Sequence, residues 1–257
     1  MFPVLLLRMQ EVNMLGRIHS LESFASSDGP SVRYLIFLQG CRMRCRFCHN
    51  PDTWDPSKGT MMRADEILDQ AERYRSYWGK EGGITVSGGE PLLQMEFLQE
   101  LFHKAKQRNI NTCIDTALQP FTEEKTWLTD FQALMEDTDL LLVDIKHIDP
   151  DRHQWLTGCS NANIQAGMRY LSDIGKPIWI RHVLVPGVND NEEYLEKTAQ
   201  FISTLTNVKR IDVLPYHTLG VYKWKELGIP YTLGNVNPPD QETIRKAEEI
   251  LQKGIRK

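Results

Sequence analysis

The segment RYLIFLQGCRMRCRFCHN, residues 33–50, joins a strand-like run to a cluster of cysteines. Its first part, Arg33 to Gln39, is mostly apolar, which is typical of a buried strand. Gly40 ends that run. The next eight residues contain three cysteines, which are Cys41, Cys45 and Cys48. The segment therefore predicts a strand that delivers sulfur ligands at its carboxyl end.

Five further runs of the same character are spaced along the chain, and amphipathic segments separate them. The runs are Ile84 to Ser87, Thr112 to Thr116, Leu140 to Lys146, Ile178 to Val185 and Arg210 to His217. Two intervening segments, Ala64 to Trp78 and Leu93 to Arg108, carry apolar residues at helical spacing. This alternation predicts an α/β fold with a parallel sheet. Six units are compatible with a doubly wound sheet, but we favour a partial, open (β/α)6 TIM-like barrel.

Length and composition favour one large core, because the chain has 257 residues and 41% of them are hydrophobic. We expect a single domain over residues 14–257. Met14 is an alternative start, which would make residues 1–13 an N-terminal extension that is not native. The apolar run Val4 to Leu7 is too short for a signal peptide, and no stretch reaches the roughly 20 apolar residues of a membrane span.

The charge balance gives no sign of a polyanionic partner. The chain carries 30 Lys and Arg against 34 Asp and Glu, for a net charge of -4. We therefore expect neither nucleic acid nor a membrane as a partner. Five cysteines, an odd number with three of them clustered, do not suggest a secreted disulfide framework. A cytoplasmic location fits this cysteine usage better.

The spacing C-x3-C-x2-C supplies three soft thiolates, which suit either zinc or an iron-sulfur cluster. A structural zinc ion needs a fourth ligand, which could be His49, Cys113 or Cys159, but no second pair of cysteines exists. Three thiolates on a cubane cluster would leave one iron open to a substrate or cofactor. We interpret Cys113, within a strand, and Cys159, within a loop, as buried or incidental thiols.

Polar residues follow every predicted strand at its carboxyl end, where parallel α/β folds bind their ligands. After the cysteines, these residues are Gly88, Gly89, Glu90, Asp115, Thr116, Asp144, Lys146, Arg181, His182, Tyr216 and His217. A cap or a surface ion pair explains any one of them. A shared site at this rim explains the whole set better.

The cysteine motif with Phe47 and the following His-Asn-Pro resembles the cluster motif of the radical S-adenosylmethionine superfamily. More narrowly, seven segments resemble the glycyl-radical-enzyme activases, from about Gly16 to the C-terminus. They are GRIHSLES at 16–23, DGPSVRYLIFLQGC at 28–41, CHNPDTW at 48–54, SGGEPLLQ at 87–94, DIKH at 144–147, WIRHVLVPGVND at 179–190 and LPYH at 214–217.

The resemblance implies a [4Fe-4S] cluster on the three cysteines, with S-adenosylmethionine on the iron that lacks a protein ligand. It assigns cofactor contacts to Phe47, Cys48, His49, Gly88, Gly89, Glu90, Asp144, Ile145, Lys146, Arg181 and His217. Lys146 would meet the methionine carboxylate, and the glycines would leave bare backbone near its amino group. A monovalent cation is implied at Asp115, Thr116 and Asp144.

The implied activity is that of an oxidoreductase in which no side chain acts as acid or base. A flavodoxin or ferredoxin reduces the cluster, and S-adenosylmethionine is cleaved to methionine and a 5′-deoxyadenosyl radical. That radical takes a hydrogen atom from a glycine of the partner enzyme. The resemblance places Asp28 and His182 near the partner's peptide, and we expect a monomer. Residues 49–87 lack the cysteines of a ferredoxin-like insert, which favours pyruvate formate-lyase as the partner.

Three departures from the family pattern concern the site. DGPS stands where DGPG is expected, DTAL at 115–118 replaces DTNG, and His182 replaces a common Tyr. Ala117 and Leu118 do not have the turn chemistry of Asn-Gly, so a different turn is expected there.

The alternatives are an activase of a different glycyl-radical enzyme, a zinc-stabilised barrel enzyme and a cluster-bearing electron-transfer protein. Three arginines beside the cysteines are either a docking face for an acidic electron donor or a solvated basic edge; they are Arg42, Arg44 and Arg46.

Overall fold

Eight strands form one sheet in the computed structural model, which describes residues 14–255. The strands are β1 Leu15–Ala25, β2 Arg33–Leu38, β3 Thr60–Arg63, β4 Gly83–Gly88, β5 Asn111–Thr116, β6 Leu140–Asp144, β7 Ile178–Leu184 and β8 Val208–Pro215. Their order in the sheet is β3-β1-β2-β4-β5-β6-β7-β8. The expected N-terminal extension, residues 1–13, lies outside the described residues.

The six predicted strands are confirmed, and they are β2 and β4 to β8. Each pairs in parallel with the next one along the chain. Among residues 14–255, the two outermost strands of the sheet, β3 and β8, each have one neighbour, so the sheet formed by these residues is open. Parallel strands in chain order, joined by helices, give the predicted partial (β/α)6 barrel.

Strands β1 and β3 are two additions that the sequence did not reveal. β1 pairs antiparallel with β2 on one side and with β3 on the other. Irregularities in register interrupt the β1–β2 pairing, and β3 has only four residues. The two strands extend the sheet beyond β2, and the loop between β1 and β2 reaches the same cavity as the cysteines.

Helices connect the parallel strands and cover the sheet. They are α1 Ala64–Glu72, α2 Met95–Gln107, α3 Lys125–Glu136, α4 Pro150–Thr157, α5 Ala162–Asp173, α6 Glu192–Ser203, α7 Val221–Glu226 and α8 Gln241–Gln252. The predicted helix 64–78 ends at Glu72, and a short 3-10 turn, Arg75–Tyr77, follows it. The predicted helix 93–108 begins two residues later, because the 3-10 turn Pro91–Gln94 precedes it. Within residues 14–255, no helix is both long and apolar enough to cross a membrane.

Arg33 is a fully buried arginine that ties the β1–β2 loop to the neighbouring strands. Its guanidinium donates to Thr85 Oγ1 at 2.6 Å, to Asn111 Oδ1 at 2.9 Å and to the carbonyl oxygen of Glu81 at 3.1 Å. Thr85 Oγ1 in turn donates to the carbonyl oxygen of Asp28 at 2.7 Å. Burial lowers the pKa of Arg33, but several oxygen acceptors stabilise its charge. The hydrogen bonds of Arg33 and Thr85 therefore hold the loop that carries Asp28 in place.

We expect Arg33→Lys to destabilise the fold by about 2–4 kcal/mol, because an ammonium group has too few donors to satisfy these buried acceptors. Urea unfolding of the metal-free protein measures the loss. The control is Arg245→Lys, at an exposed pair with Glu249, which should change stability by less than about 1 kcal/mol. Equal stabilities for the two variants would contradict this role of Arg33.

Candidate active site

A cavity of about 450 Å³ lies at the carboxyl ends of the parallel strands. A site at this rim was predicted from the polar residues that follow the strands. The predicted residues that line the cavity are Asp28, Cys41, Cys45, Phe47, Cys48, His49, Gly88, Gly89, Glu90, Asp115, Thr116, Asp144, Lys146, Arg181 and His217. Its volume is in the range of small-molecule sites.

The cysteine loop, residues 41–48, lines the cavity with every second residue over most of its length. Cys41, Met43, Cys45 and Phe47 line the cavity, and the three arginines between them do not. The loop continues the alternation of strand β2, in which successive side chains point to opposite sides. Cys48 joins the cavity after the backbone turns, where its N–H donates to the carbonyl oxygen of Cys45 at 3.0 Å.

The glycine turn after β4 fixes the start of the cysteine loop. Gly89 N donates to Leu38 O at 2.9 Å, and Glu90 N donates to Gly40 O at 2.8 Å. A Cβ atom at Gly89 would lie 2.1 Å from Gly40 O, which no side chain tolerates. Gly88 has a φ of 109°, which also favours glycine. These glycines therefore bring two strand ends into direct backbone contact.

The end of α4 holds the other side of the cysteine loop. Arg44 N donates to Thr157 O at 2.7 Å, and Arg46 N donates to Leu156 O at 2.9 Å. The last carbonyl groups of a helix lack partners within the helix, and the loop supplies them here. The cysteine loop is thus fixed by backbone hydrogen bonds on both sides.

The three cysteine thiols form a soft donor set, in which Cys45 is buried and Cys41 and Cys48 are half-buried. None is in a disulfide. Burial raises the pKa of Cys41 and Cys45 to about 12 and that of Cys48 to about 11. In the metal-free chain these groups are uncharged thiols, and a bound soft metal would displace their protons. This chemistry fits the iron-sulfur cluster that the sequence motif implies.

A structural zinc ion and an iron-sulfur cluster require different arrangements of their ligands. Within residues 14–255, no three Cys, His, Asp or Glu side chains are grouped so as to hold one ion. A structural zinc ion requires four ligands at a single centre. An iron-sulfur cluster spreads its thiolates over separate iron atoms, so three thiols around one cavity suit it.

Three ion pairs place charge on the wall of the cavity. Lys146 Nζ lies 2.7 Å from Asp144 Oδ2. Burial opposes the charge of Lys146, but the nearby Asp144 carboxylate outweighs it and raises the pKa of the amine. Arg181 Nη1 lies 3.1 Å from Asp115 Oδ2 and 3.2 Å from Asp28 Oδ1. The Asp115 carboxylate also raises the pKa of Arg181, so both cations remain charged.

Glu90 joins the glycine turn to the turn after β5. Its carboxyl group accepts from Thr116 Oγ1 at 2.6 Å and from Ala117 N at 3.0 Å. Burial raises the pKa of Glu90 to about 7. Thr116 Oγ1 also accepts from Leu118 N at 2.9 Å. Side chains of neighbouring residues therefore hold the DTAL turn.

Leu118 adopts the left-handed backbone conformation, with a φ of 57°. This is the position at which the related DTNG pattern has glycine, so Leu118 stands in a backbone conformation that favours glycine. Leu118 is fully buried in the core. Its apolar burial and the hydrogen bonds around it offset the strain of about 1–2 kcal/mol that a non-glycine residue has in this conformation.

Two imidazole rings form one aromatic wall of the cavity. His49 and His217 stack with ring centroids 4.0 Å apart and an interplanar angle of 22°. Burial lowers the pKa of His49, and the neighbouring His217 adds to the effect. Phe47 lies nearby, with Lys146 Nζ 5.6 Å from its ring centroid. Flat rings next to fixed charges suit a ligand with an aromatic base and a charged end.

Three predicted site residues do not line the cavity. One is Tyr216, which is fully buried in an apolar cluster, and the other two are Ile145 and His182. Both are buried, and His182 Nδ1 donates to Ile145 O at 2.7 Å. Each follows a residue that does face the cavity, and neighbouring strand residues point to opposite sides. The position of His182 therefore gives no support for a contact with a substrate peptide.

Several cavity residues were not predicted from the sequence. They are Ser27, Met43, Asn50, Thr53, Trp54, Ser87, Ala117, Val183, Leu214 and Pro215. Ser87 had a usable signal, because it ends a predicted strand, and its Oγ donates to Asp115 Oδ2 at 2.8 Å. The apolar members gave no signal, since their composition does not distinguish them from core residues.

An open parallel barrel carries three cysteine thiols at its carboxyl rim, an arrangement that fits an enzyme with an iron-sulfur cluster. Residues 35–202 match the family described as the Radical SAM superfamily, and the chain belongs to that family. It is 50% identical over 238 residues to the pyruvate formate-lyase-activating enzyme of Streptococcus mutans, covering 92% of this chain and 90% of that one. It is 49% identical to the enzyme of the same name from Listeria monocytogenes, over 93% and 97% of the two chains.

A solved structure shares the fold. It is a domain of pyruvate-formate lyase-activating enzyme from Bacteroides vulgatus, with a TM-score of 0.54 and 29% sequence identity. The match covers 67% of this chain and 94% of that one. The resemblance recognised from the motifs is thereby confirmed.

Cys45→Ala should abolish cluster binding, whereas Cys113→Ala should not, because the Cys113 thiol lies away from the cavity. Anaerobic reconstitution followed by iron and zinc analysis should give about four irons per chain for the parent protein and for Cys113→Ala. Cys45→Ala should hold far fewer and lose the brown colour. Retention of the full iron content by Cys45→Ala, or stoichiometric zinc in the parent protein, would contradict the ligand assignment.

Leu118→Gly should destabilise the protein although it removes backbone strain. Loss of a buried leucine side chain costs about 2–5 kcal/mol, and relief of the left-handed conformation returns about 1–2 kcal/mol. The expected net loss in urea unfolding is roughly 1–3 kcal/mol. Asn109→Gly is the control, because Asn109 has a φ of 55° but is exposed. A gain in stability for Leu118→Gly would show that strain outweighs burial.

Proposed function

We propose that this chain activates pyruvate formate-lyase by generating a glycyl radical in it. The observation that carries the proposal is identity of about 50% to activating enzymes of that name over nine-tenths of both chains. The cavity supports it, because the cysteine motif, the glycine turn and the DIK segment converge on one space. With cluster and cofactor bound, reductive cleavage of S-adenosylmethionine supplies methionine and a 5′-deoxyadenosyl radical, which takes a hydrogen atom from a glycine.

Within this proposal, Cys41, Cys45 and Cys48 hold a [4Fe-4S] cluster. Lys146 attracts the carboxylate of the methionine part as a fixed positive charge. The stacked rings of His49 and His217 form a wall for the adenosine part. The protein groups thus bind and orient the cofactor, while the cofactor supplies the chemistry.

The Asp28 and Arg181 pair is the proposed contact for the peptide that carries the substrate glycine. Both residues line the cavity, and both are largely shielded from solvent, with 21% and 14% of their side chains exposed. A carboxylate and a guanidinium side by side offer an acceptor and a donor to a peptide backbone. Arg33 and Thr85 hold the backbone at Asp28, so the acceptor is fixed before the peptide arrives.

We also propose a monovalent cation at Asp115, Thr116 and Asp144, whose side chains face the cavity. Arg181 and Lys146 neutralise the two carboxylates in the ligand-free chain. Once the cofactor carboxylate engages Lys146, Asp144 regains an unbalanced negative charge. A cation beside it would restore the charge balance.

An external flavodoxin or ferredoxin supplies one electron, and the activase acts as a monomer. We propose a cytoplasmic location, because all five cysteines are unpaired and a reducing compartment keeps them so.

The decisive experiment is electron paramagnetic resonance of a mixture of three components: the reduced, cluster-loaded protein, S-adenosylmethionine and pyruvate formate-lyase. A stable glycyl doublet should form, and 5′-deoxyadenosine should accumulate with it. A doublet with another glycyl-radical enzyme but not with pyruvate formate-lyase would favour an activase of that other enzyme. Absence of both 5′-deoxyadenosine and any doublet in the brown protein would favour an electron-transfer protein.

A further inference from the structure

The cysteine loop has an outer side that the cavity does not use. Arg42, Arg44 and Arg46 alternate with the residues that line the cavity. The first two side chains are exposed, and the third is half-buried. The backbone of the cysteine loop therefore lies between three positive side chains on its outer side and the thiols on its inner side.

Two of these arginines are held in place by the fold. Arg44 Nη1 donates to the carbonyl oxygens of Cys41 at 2.7 Å and Met43 at 2.8 Å. Arg46 Nε donates to Trp155 O at 2.8 Å, and its guanidinium lies 4.4 Å from the Trp155 ring centroid. Side chains that are already ordered lose less entropy when a partner binds.

Within residues 14–255, these three arginines have no ion-pair partner of opposite charge. Among the described residues, no carboxylate lies within ion-pair distance of Arg42, Arg44 or Arg46. The whole chain has a net charge of -4, so this positive region contrasts with the rest of the molecule. Beside it lies Trp155, which is 44% exposed although it is large and aromatic. Exposed aromatic and arginine side chains are common at protein interfaces.

We propose that Arg42, Arg44, Arg46 and Trp155, here called the basic face, dock an acidic one-electron carrier protein. The proposal rests on the proposed function and deepens it by assigning the route of the electron. One electron leaves the reduced carrier and enters the cluster through the cysteine loop, and no bond forms or breaks. The basic face attracts the carrier electrostatically. It places the redox group of the carrier against the outer side of the cysteine loop, opposite the thiols.

The test is Arg42→Glu/Arg46→Glu, which reverses two charges and spares Arg44, whose side chain supports the loop. The matched control is Lys80→Glu/Lys209→Glu, which makes the same change of charge. Both control lysines are exposed and lie at the amino ends of β4 and β8, away from the cysteine loop. Equal iron contents show that each variant holds its cluster.

The probe is a flavodoxin of net negative charge, measured in two ways at low and high salt. Its dissociation constant from the cluster-loaded protein, by calorimetry, should rise about tenfold or more for the Arg variant at low salt. The rate at which reduced flavodoxin reduces the cluster should fall by a similar factor. Both differences should shrink near 0.5 M salt, where charges are screened beyond roughly 4–5 Å. The Lys control should change either quantity less than about twofold.

Reduction by dithionite separates this inference from the proposed function. With dithionite, the Arg variant should still form the glycyl radical in pyruvate formate-lyase at the parent rate. If the Arg and Lys variants change flavodoxin binding and cluster reduction equally, the docking inference is overturned. Formation of the glycyl radical with dithionite would still support the proposed function. Loss of radical formation with dithionite would assign the face to pyruvate formate-lyase instead. If the Arg variant weakens binding to a single-stranded oligonucleotide as much as it weakens binding to flavodoxin, the face binds polyanions in general. This result would also overturn the inference.

Discussion

Two backbone hydrogen bonds join the glycine turn after β4 to the beginning of the cysteine loop, and the cavity depends on them. Gly89 N and Glu90 N donate to Leu38 O and Gly40 O. The strand ends can come this close only because residue 89 lacks a side chain. The sulfur ligands are thus placed by main-chain contacts that exist before any cofactor binds. Such preorganisation reduces the ordering that cofactor binding requires.

The parallel strands were predictable from sequence because most of their residues are buried on both faces. The run Leu140–Asp144 is apolar almost throughout, as a central parallel strand requires. β1 lacks that signal, because its burial is irregular and its register with β2 shifts. β3 has only four residues, which are too few to show the alternation of buried and exposed side chains that indicates a strand. The sheet was therefore recognised from its centre, and its antiparallel edge was missed.

The site was predictable where residue chemistry and position at a strand end agree, as for the cysteines and Lys146. Resemblance of a whole motif gives no information on the direction of each side chain. Ile145 and His182 do not line the cavity, and His182 Nδ1 donates to Ile145 O. The DTAL turn shows the opposite case, because Leu118 keeps a glycine-like conformation that its own chemistry does not favour. Support from Glu90 and Thr116 is a tertiary effect, which local sequence does not reveal.

The carboxyl group of Glu90 lies between two loops that come from different strands. It accepts hydrogen bonds from Leu92 N, Thr116 Oγ1 and Ala117 N. A displacement of either loop therefore disturbs the other through one shared acceptor. The two loops therefore behave as one structural unit. If one loop is exchanged between homologues, the other loop has to be exchanged with it. Chimeric activases would have their segment boundaries outside this unit.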